Sequence, residues 1–467
     1  MAYIIQGGRP LYGTVRIHGA KNSALPILAA TVLVSGACEI RNCPQISDVD
    51  TALSILTSLG CKAERSGDTV SVDTSTLCKT EIEDRLMRKM RSSVLFLGAL
   101  LARCGECSLT CPGGCVLGER PIDLHLRAVE QLGGSVSFDE ERIRCTASSL
   151  HGATVCLPIP SVGATENILL MAMGANEPVT VCNAAKEPEI TDLCAFLQAC
   201  GAKIQGIGSG VVRIRSLPLH GCSFSVQPDR IEAATYLSCT ACASGEITLS
   251  DCCPAHLEPV LEVFRQAGCR LESTINTIRF QADRLRAVSP IKTAPYPGFP
   301  TDAQAPVMAA MTKAEGISVF VERIFSARYR HAEALQKMGA NVCVGKRIAV
   351  VSGVESLRGE QVDATDLRGG AAIVAAALGA GGTSVIHHTE HIARGYAAFP
   401  ENLRQLGADI TDTNEGTFYG GKPATPATES NRSAITDQKA DGPHVGQGEV
   451  KLRRSPKTKE KTESSKG

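Results

Sequence analysis

Apolar residues recur at helical spacing in six stretches of the chain, each ending on a glycine and followed by an alternating segment. The stretches are LTSLGCKAE, VEQLGGSVS, LQACGAKIQ, FRQAGCRLE, LQKMGANVC and LRQLGADIT. Their marker glycines are Gly60, Gly133, Gly201, Gly268, Gly339 and Gly407, so the gaps are 73, 68, 67, 71 and 68 residues. That period is too long for ankyrin or tetratricopeptide arrays and predicts a small α/β module repeated six times. In the first module Ser47 is placed to cap a helix whose apolar positions are Val49, Ala52, Leu53, Leu56 and Leu59. Gly60 then suits the left-handed residue that follows a helix end. Segments such as TVSVD predict strands, joined in places by glycine turns such as residues 344–346.

A second helix also recurs, running from a polar cluster into small apolar residues: KNSALPILAA, RSSVLFLGALLA, SVGATENILLMA, DRIEAATYLS, TDAQAPVMAA and DLRGGAAIVAAA. These helices start at Lys21, Arg91, Ser161, Asp229, Thr301 and Asp366, again about 70 residues apart. Each repeat therefore reads as βαβαββ, and three repeats packed about a pseudo-threefold axis make a domain. Two such domains account for residues up to about 418. A helix start carries partial positive charge and unpaired N–H groups, so a cleft faced by several of them favours an anion.

Composition narrows the class. The chain has 467 residues, 43% hydrophobic and 21% charged, with 48 Lys/Arg against 48 Asp/Glu. Charge balance gives no general reason to expect nucleic acid or an acidic membrane surface as partner. No apolar run reaches the roughly 18 residues that span a bilayer. The opening MAYIIQGGRP lacks a secretory pattern, so the twenty cysteines are expected to be reduced thiols in the cytoplasm. From Gly420 onward aromatic residues vanish and large apolar ones nearly do, which predicts a disordered tail over residues 419–467.

Candidate chemistry centres on CPGGCVLGERPIDLHL, residues 111–126, where Gly113, Gly114 and Gly118 flank Cys115 and Arg120 follows it. A thiol on such a loop, beside positive charge, is a candidate acid or nucleophile; the alternative is one more structural cysteine. Cys104, Cys107, Cys111 and Cys115 also form a C-x2-C-x3-C-x3-C series, whose metal-ligand reading is disfavoured because the segment looks like helix end, strand and loop. His387, His388 and His391 read as ordinary residues at a strand end. Lys21 and Asn22 stand at a helix start, either solvated or holding an anion. Asp302 follows a proline-rich loop and is either a helix cap or a general base. Arg368 and Arg394, each beside glycine, suit bidentate capture of carboxylate or phosphate.

Taken in order, GAKNSALP, MRSS, PGGCVLGERPIDLH, PSVGAT, PGFPTD, ATDLR and HIARGY closely resemble the UDP-N-acetylglucosamine 1-carboxyvinyltransferase family of enolpyruvyl transferases. The resemblance covers nearly all of residues 1–418. The related 5-enolpyruvylshikimate-3-phosphate synthases share the architecture and lack this cysteine loop. The resemblance implies an α/β (α+β) fold of two inside-out α/β barrel domains, each of three βαβαββ repeats, with a cleft between them. Their expected extents are residues 21–227, and 1–20 together with 228–418. It further implies transfer of enolpyruvyl from phosphoenolpyruvate to the 3-hydroxyl of UDP-N-acetylglucosamine, by a monomer without metal or cofactor. Cys115 matches the family's acid and site of covalent attachment by fosfomycin, and Asp302 its base. Lys21, Asn22, Arg120, Arg368 and Arg394 match the phosphoenolpyruvate site, Lys21 and Arg394 also having catalytic roles. The nucleotide-sugar site matches Arg91, Arg120, Pro121, Ile122, Asp123, Leu124, His125, Ser161, Val162, Gly163, Asp302 and Ile324. The chain departs from some members in having Ile159 and Pro160 where they carry lysine, and Leu95 where they carry tryptophan. A non-catalytic paralogue that binds the sugar is the competing reading, and the intact Lys21, Cys115, Asp302 and Arg394 weigh against it.

Overall fold

The computed structural model describes residues 1–113, 122–139 and 142–413. The predicted tail and the heart of the cysteine loop, Cys115, Arg120 and Pro121 included, lie outside the described residues. Each of the six modules builds one small sheet on a shared plan, although in the second, among the described residues, the parallel first strand is reduced to a bridge between Glu81 and Ser108. The third module shows it in uninterrupted form: strand Thr154–Cys156, helix Val162–Ala172, strand Val179–Cys182, helix Pro188–Ala199, then strands Lys203–Gln205 and Val211–Arg215. The first strand lies parallel to the second, and the closing hairpin adds antiparallel strands on the other side. This is the βαβαββ order that the periodicity predicts.

Two modules borrow their first strand from a distant part of the chain. Leu11–Arg16 lies parallel to Gly245–Ser250, and Ser223–Ser225 lies parallel to Ala37–Arg41. The last module borrows from the N-terminus instead, since Ala2–Gln6 inserts between Thr383–His387 and Asp409–Asp412. The chain thus crosses between its two sets of three modules at residues 17–21 and again at 225–230.

Each set has its own apolar core. One comprises buried residues from Ala24 to Val226 joined by Ala397; the other comprises residues 3–17 and 233–410. At the centre of the second core the helices Arg230–Ala243, Thr301–Met311 and Leu367–Leu378 pack on one another, and every residue of the first and the last of them is buried. Small residues such as Ala233, Ala234, Ala371 and Ala372 allow that approach, and the sheets form the outer layer around them. The helix Leu95–Cys104 likewise packs against Val162–Ala172 and Lys21–Ala30 in the first core. All six marker glycines have positive φ, between 89° and 111°, at the left-handed position that stops each outer helix. Ser47, by contrast, is the first residue of its helix and gives no side-chain cap. The cap position falls to Ile46, and the neighbouring Asp48 is turned inward.

Candidate functional site

Four of the recurring helix starts meet. Lys21 opens its helix with its backbone N–H on the Asp229 carboxylate, 3.1 Å away, and Asp229 also caps its own helix through the N–H groups of Ile231 and Glu232. The Lys21 ammonium lies 2.7 Å from Asp48 Oδ2, while Arg394 grips the same carboxylate at 2.9 and 3.3 Å. Asp48 is almost wholly buried, so its charge is supported by those two cations. Burial opposes its ionisation, yet Lys21 and Arg394 outweigh burial and hold the carboxyl below its usual range. Burial pushes the Lys21 ammonium down, against the pull of Asp48, and Arg394 and Arg368 add to the fall.

Asp302 sits in the first turn of Thr301–Met311, but it does not cap it. Pro300 holds the cap position without a side-chain bond, and the carboxylate turns to two arginines. Arg328 donates to Oδ1 at 2.8 Å, and Arg368 donates to Oδ2 through Nε and Nη2 at 3.3 and 3.2 Å. Burial again works against the charged form, and Arg368, Arg328 and Lys21 overcome it, holding the Asp302 carboxyl well below the carboxylate range. In this arrangement the carboxylate is a weak base. Arg368 stacks 5.2 Å over the Tyr396 ring and keeps its Nη1 buried without a hydrogen-bond partner. An unspent guanidinium N–H next to an ion pair is a ready donor to an incoming anion.

The segment HIARGYAAF joins the two cores. Arg394 reaches Asp48, Ala397 packs into the first core, and the Tyr396 hydroxyl shares a hydrogen bond with Thr235 in the second. A second tie runs through Glu189, which takes both oxygens to Arg230 at 3.0 and 3.2 Å, and through Glu187, which accepts from the Tyr296 N–H. Glu166, buried nearby, is pushed well above the usual range by burial and by the charges of Glu189 and Glu187.

Arg91, Asp123 and Gly163 gather around His125, on the helix Asp123–Gln131. Asn167 accepts from the Gly98 N–H through Oδ1, so its Nδ2 is the donor to His125 Nδ1 at 2.7 Å. His125 therefore carries its proton on Nε2 when neutral, and burial, with the charge of Arg91, keeps it neutral by pushing its pKa down to about 4. A Cβ on Gly163 would stand 3.3 Å from the imidazole, which explains the glycine by close approach. Ser161 caps the Val162 helix on the Ala164 N–H. Arg91 opens the short turn that leads into the Leu95 helix. Ile122 is buried, Asp123 and Leu124 are half-buried, and Asp123 pairs with Arg127 at 3.6 Å. Ile324 is partly exposed, its N–H held by Glu322 at 2.7 Å. Asn22 is half-buried beside Lys21.

The sequence reading overlooked Asp48 and Arg328, the two groups that complete the charge clusters. Arg328 follows no glycine and carries no anion-site signature, and Asp48 looks like any acidic residue in a first helical turn. The described members of the cysteine series do not converge: Cys104 and Cys111 are exposed at either end of the strand on which Cys107 is buried. His388 is exposed and pairs with Glu390 at 3.2 Å.

Known proteins resemble the chain throughout this region. The family described as EPSP synthase (3-phosphoshikimate 1-carboxyvinyltransferase) matches residues 5–403. UDP-N-acetylglucosamine 1-carboxyvinyltransferase 2 of Caldanaerobacter subterraneus is 45% identical over 87% of this chain and 98% of its own. The enzyme of the same name, without the number, from Desulfatibacillum aliphaticivorans is 42% identical over the same shares. Among solved structures, the enolpyruvyl transferase NikO from Streptomyces tendae superposes with a TM-score of 0.80 at 25% identity, covering 88% of this chain and 98% of NikO.

Proposed function

Because the chain belongs to the UDP-N-acetylglucosamine 1-carboxyvinyltransferase branch of the enolpyruvyl transferases, we propose that its two charge clusters hold phosphoenolpyruvate beside the nucleotide sugar. The protein is a transferase: it moves enolpyruvyl from phosphoenolpyruvate to UDP-N-acetylglucosamine in peptidoglycan precursor synthesis. The carrying observation is the gathering of Lys21, Arg328, Arg368 and Arg394 around two carboxylates, Asp48 and Asp302. A substrate bearing a phosphate and a carboxylate meets fixed cations whose orientation is set in advance, the arrangement that stabilises developing charge at least cost in reorganisation.

In this reading Lys21, Asn22, Arg120, Arg368 and Arg394 take phosphoenolpyruvate. Arg91, residues 120–125, Ser161, Val162, Gly163, Asp302 and Ile324 take the nucleotide sugar, with the His125 Nε2–H as a donor. Cys115 gives its proton to the methylene carbon, the sugar 3-hydroxyl oxygen bonds to the neighbouring carbon, and Asp302 receives the hydroxyl proton. The resulting ketal loses a proton from the methyl carbon as its C–O bond to phosphate breaks. Arg368 leaving Asp302 for the substrate's anionic groups would restore the basicity that it suppresses in the free protein, coupling base strength to occupancy. Fosfomycin would attach to the Cys115 sulfur, with the thiolate as nucleophile.

The two cores support division into domains at residues 21–227 and 1–20 with 228–418, closing on each other over the substrates. The proposed form is a monomer with small-molecule partners, without nucleic acid or membrane. The described cysteines are all free thiols, in keeping with the cytoplasm; among the described residues no helix is long and apolar enough to cross a membrane. The test is phosphate release from phosphoenolpyruvate by the purified full chain. Release dependent on UDP-N-acetylglucosamine is expected, and its absence from folded protein would overturn the reading.

A further inference from the structure

Three cysteines far apart in sequence converge on the outer side of the first core. Cys38 points inward from the strand Ala37–Arg41, Cys200 ends the helix Pro188–Ala199, and Cys222 immediately precedes the strand Ser223–Ser225. Their sulfurs all lie within 4.8 Å of one another, with Cys200 Sγ and Cys222 Sγ 3.4 Å apart. Among the described residues no other set of three such ligand groups comes this close. Cys107 and Cys145, by comparison, face each other across paired strands as a pair without a third member.

Buried cysteines are commonly small apolar fillers, so burial alone assigns nothing. Convergence is different, because three thiolates about 2.3 Å from one ion in tetrahedral geometry stand about 3.8 Å apart, within the range that these sulfurs already span. His220 lies on the adjoining backbone, with its ring nitrogens outside that 4.8 Å set. His220 donates its Nδ1 proton to the Gly221 carbonyl at 3.2 Å, which leaves Nε2 with its lone pair. Its ring lies against Gly201, the residue after Cys200, where a Cβ would be 3.4 Å from Nε2. The backbone holds the same groups together: the His220 N–H bonds the Cys200 carbonyl, and the Glu39 N–H bonds the Cys222 carbonyl.

We propose that Cys38, Cys200 and Cys222 form a binding site for a soft, thiophilic metal ion such as zinc(II), with water as the fourth ligand. Binding forms three metal–sulfur bonds as three thiol protons pass to solvent and a water oxygen takes the fourth position; the metal keeps its oxidation state. Sulfur donors select zinc over magnesium or calcium, which take oxygen. The site stands apart from the charge clusters. Cys200 is at the opposite end of its helix from Glu189, eleven residues or about 16 Å along the axis. The ion would staple helix end, edge strand and sheet just before the chain crosses at residues 225–230, and it takes no part in the proposed reaction.

Cobalt(II) added to the reduced, metal-free full chain provides the test. Expected are thiolate-to-cobalt charge-transfer absorption and tetrahedral visible bands that saturate at one ion per chain and disappear when zinc(II) is added. Cys38→Ser, Cys200→Ser and Cys222→Ser should each weaken cobalt binding by more than the about 10–100-fold typical of an outer-shell change. Cys107→Ser and His220→Ala should leave it intact. Circular dichroism confirms folding, and Cys222→Ser, at the half-buried position, serves where the buried substitutions fail to fold. Full absorption retained in Cys222→Ser would overturn the proposal. So would no band at stoichiometric cobalt, or a Cys200–Cys222 disulfide in the isolated protein that reforms after reduction in place of metal uptake.

Discussion

Asp48 and Asp302 are each a carboxylate between two cations, yet they occupy different positions with respect to solvent. The Asp48 side chain is 5% exposed and shares Lys21 and Arg394; the Asp302 side chain is 28% exposed and shares Arg328 and Arg368. A sealed carboxylate has no alternative partner, so it acts as a fixed counter-ion that aims Lys21 and Arg394. The carboxylate with an open side can change partners when an anion enters. In the proposed mechanism, identical local chemistry divides into positioning at one cluster and proton transfer at the other, and accessibility makes the division.

The largest effect that can break this comparison is on rate. Asp302→Asn should lower acceptor-dependent phosphate release by about 10²–10⁴-fold, the usual contribution of a positioned general base. The amide keeps one acceptor oxygen, for either Arg328 or Arg368, so turnover is compared in protein shown to be folded by circular dichroism. Unchanged turnover would remove Asp302 from the chemistry. Asp48→Asn should act on stability, since it leaves Lys21 and Arg394 buried without their anion, at a cost of about 3–5 kcal/mol. Chemical denaturation reads this directly, and an unmoved midpoint would refute the counter-ion role.

The smallest effect is one of pH and lies at His125. Its folded pKa of about 4 is below the unfolded value near 6.5, so the unfolded chain binds the extra proton more tightly. The resulting stability is complete above about pH 6.5 and is lost as pH falls toward 4, by about 3 kcal/mol at most. His125→Gln should flatten that part of the stability profile. A profile as steep as that of the parent would place the titration elsewhere.

What sequence could and could not disclose follows from the range of each interaction. The repeats were readable because helix periodicity and a terminal glycine are local, and the six positive φ values follow from the same steric rule. Lys21, Asn22, Arg368 and Arg394 stood out through flanking glycines or helix starts. Asp48 did not, because its meaning depends on Arg394, which is 346 residues away. Ser47 was read as a cap, and a cap was one of two readings of Asp302; neither side chain caps its helix. Local rules favour a side chain folding back on its own helix, whereas buried cations offer a carboxylate a stronger partner. The three converging thiols were invisible for the same reason of distance, whereas Cys104, Cys107 and Cys111, neighbours along the chain, do not converge.

The borrowed strands impose an order on synthesis. The first module is completed once Ser223–Ser225 has left the ribosome, so the first core can close while the second is unmade. Ala2–Gln6, the earliest segment to emerge, must wait for Thr383–His387 and then Asp409–Asp412. At about 5–20 residues per second this is roughly 20–80 s with Tyr3 and Ile5 unpaired. A newborn chain therefore carries an open strand edge through most of its translation, and stalling in the final module would leave that edge free to recruit a neighbour.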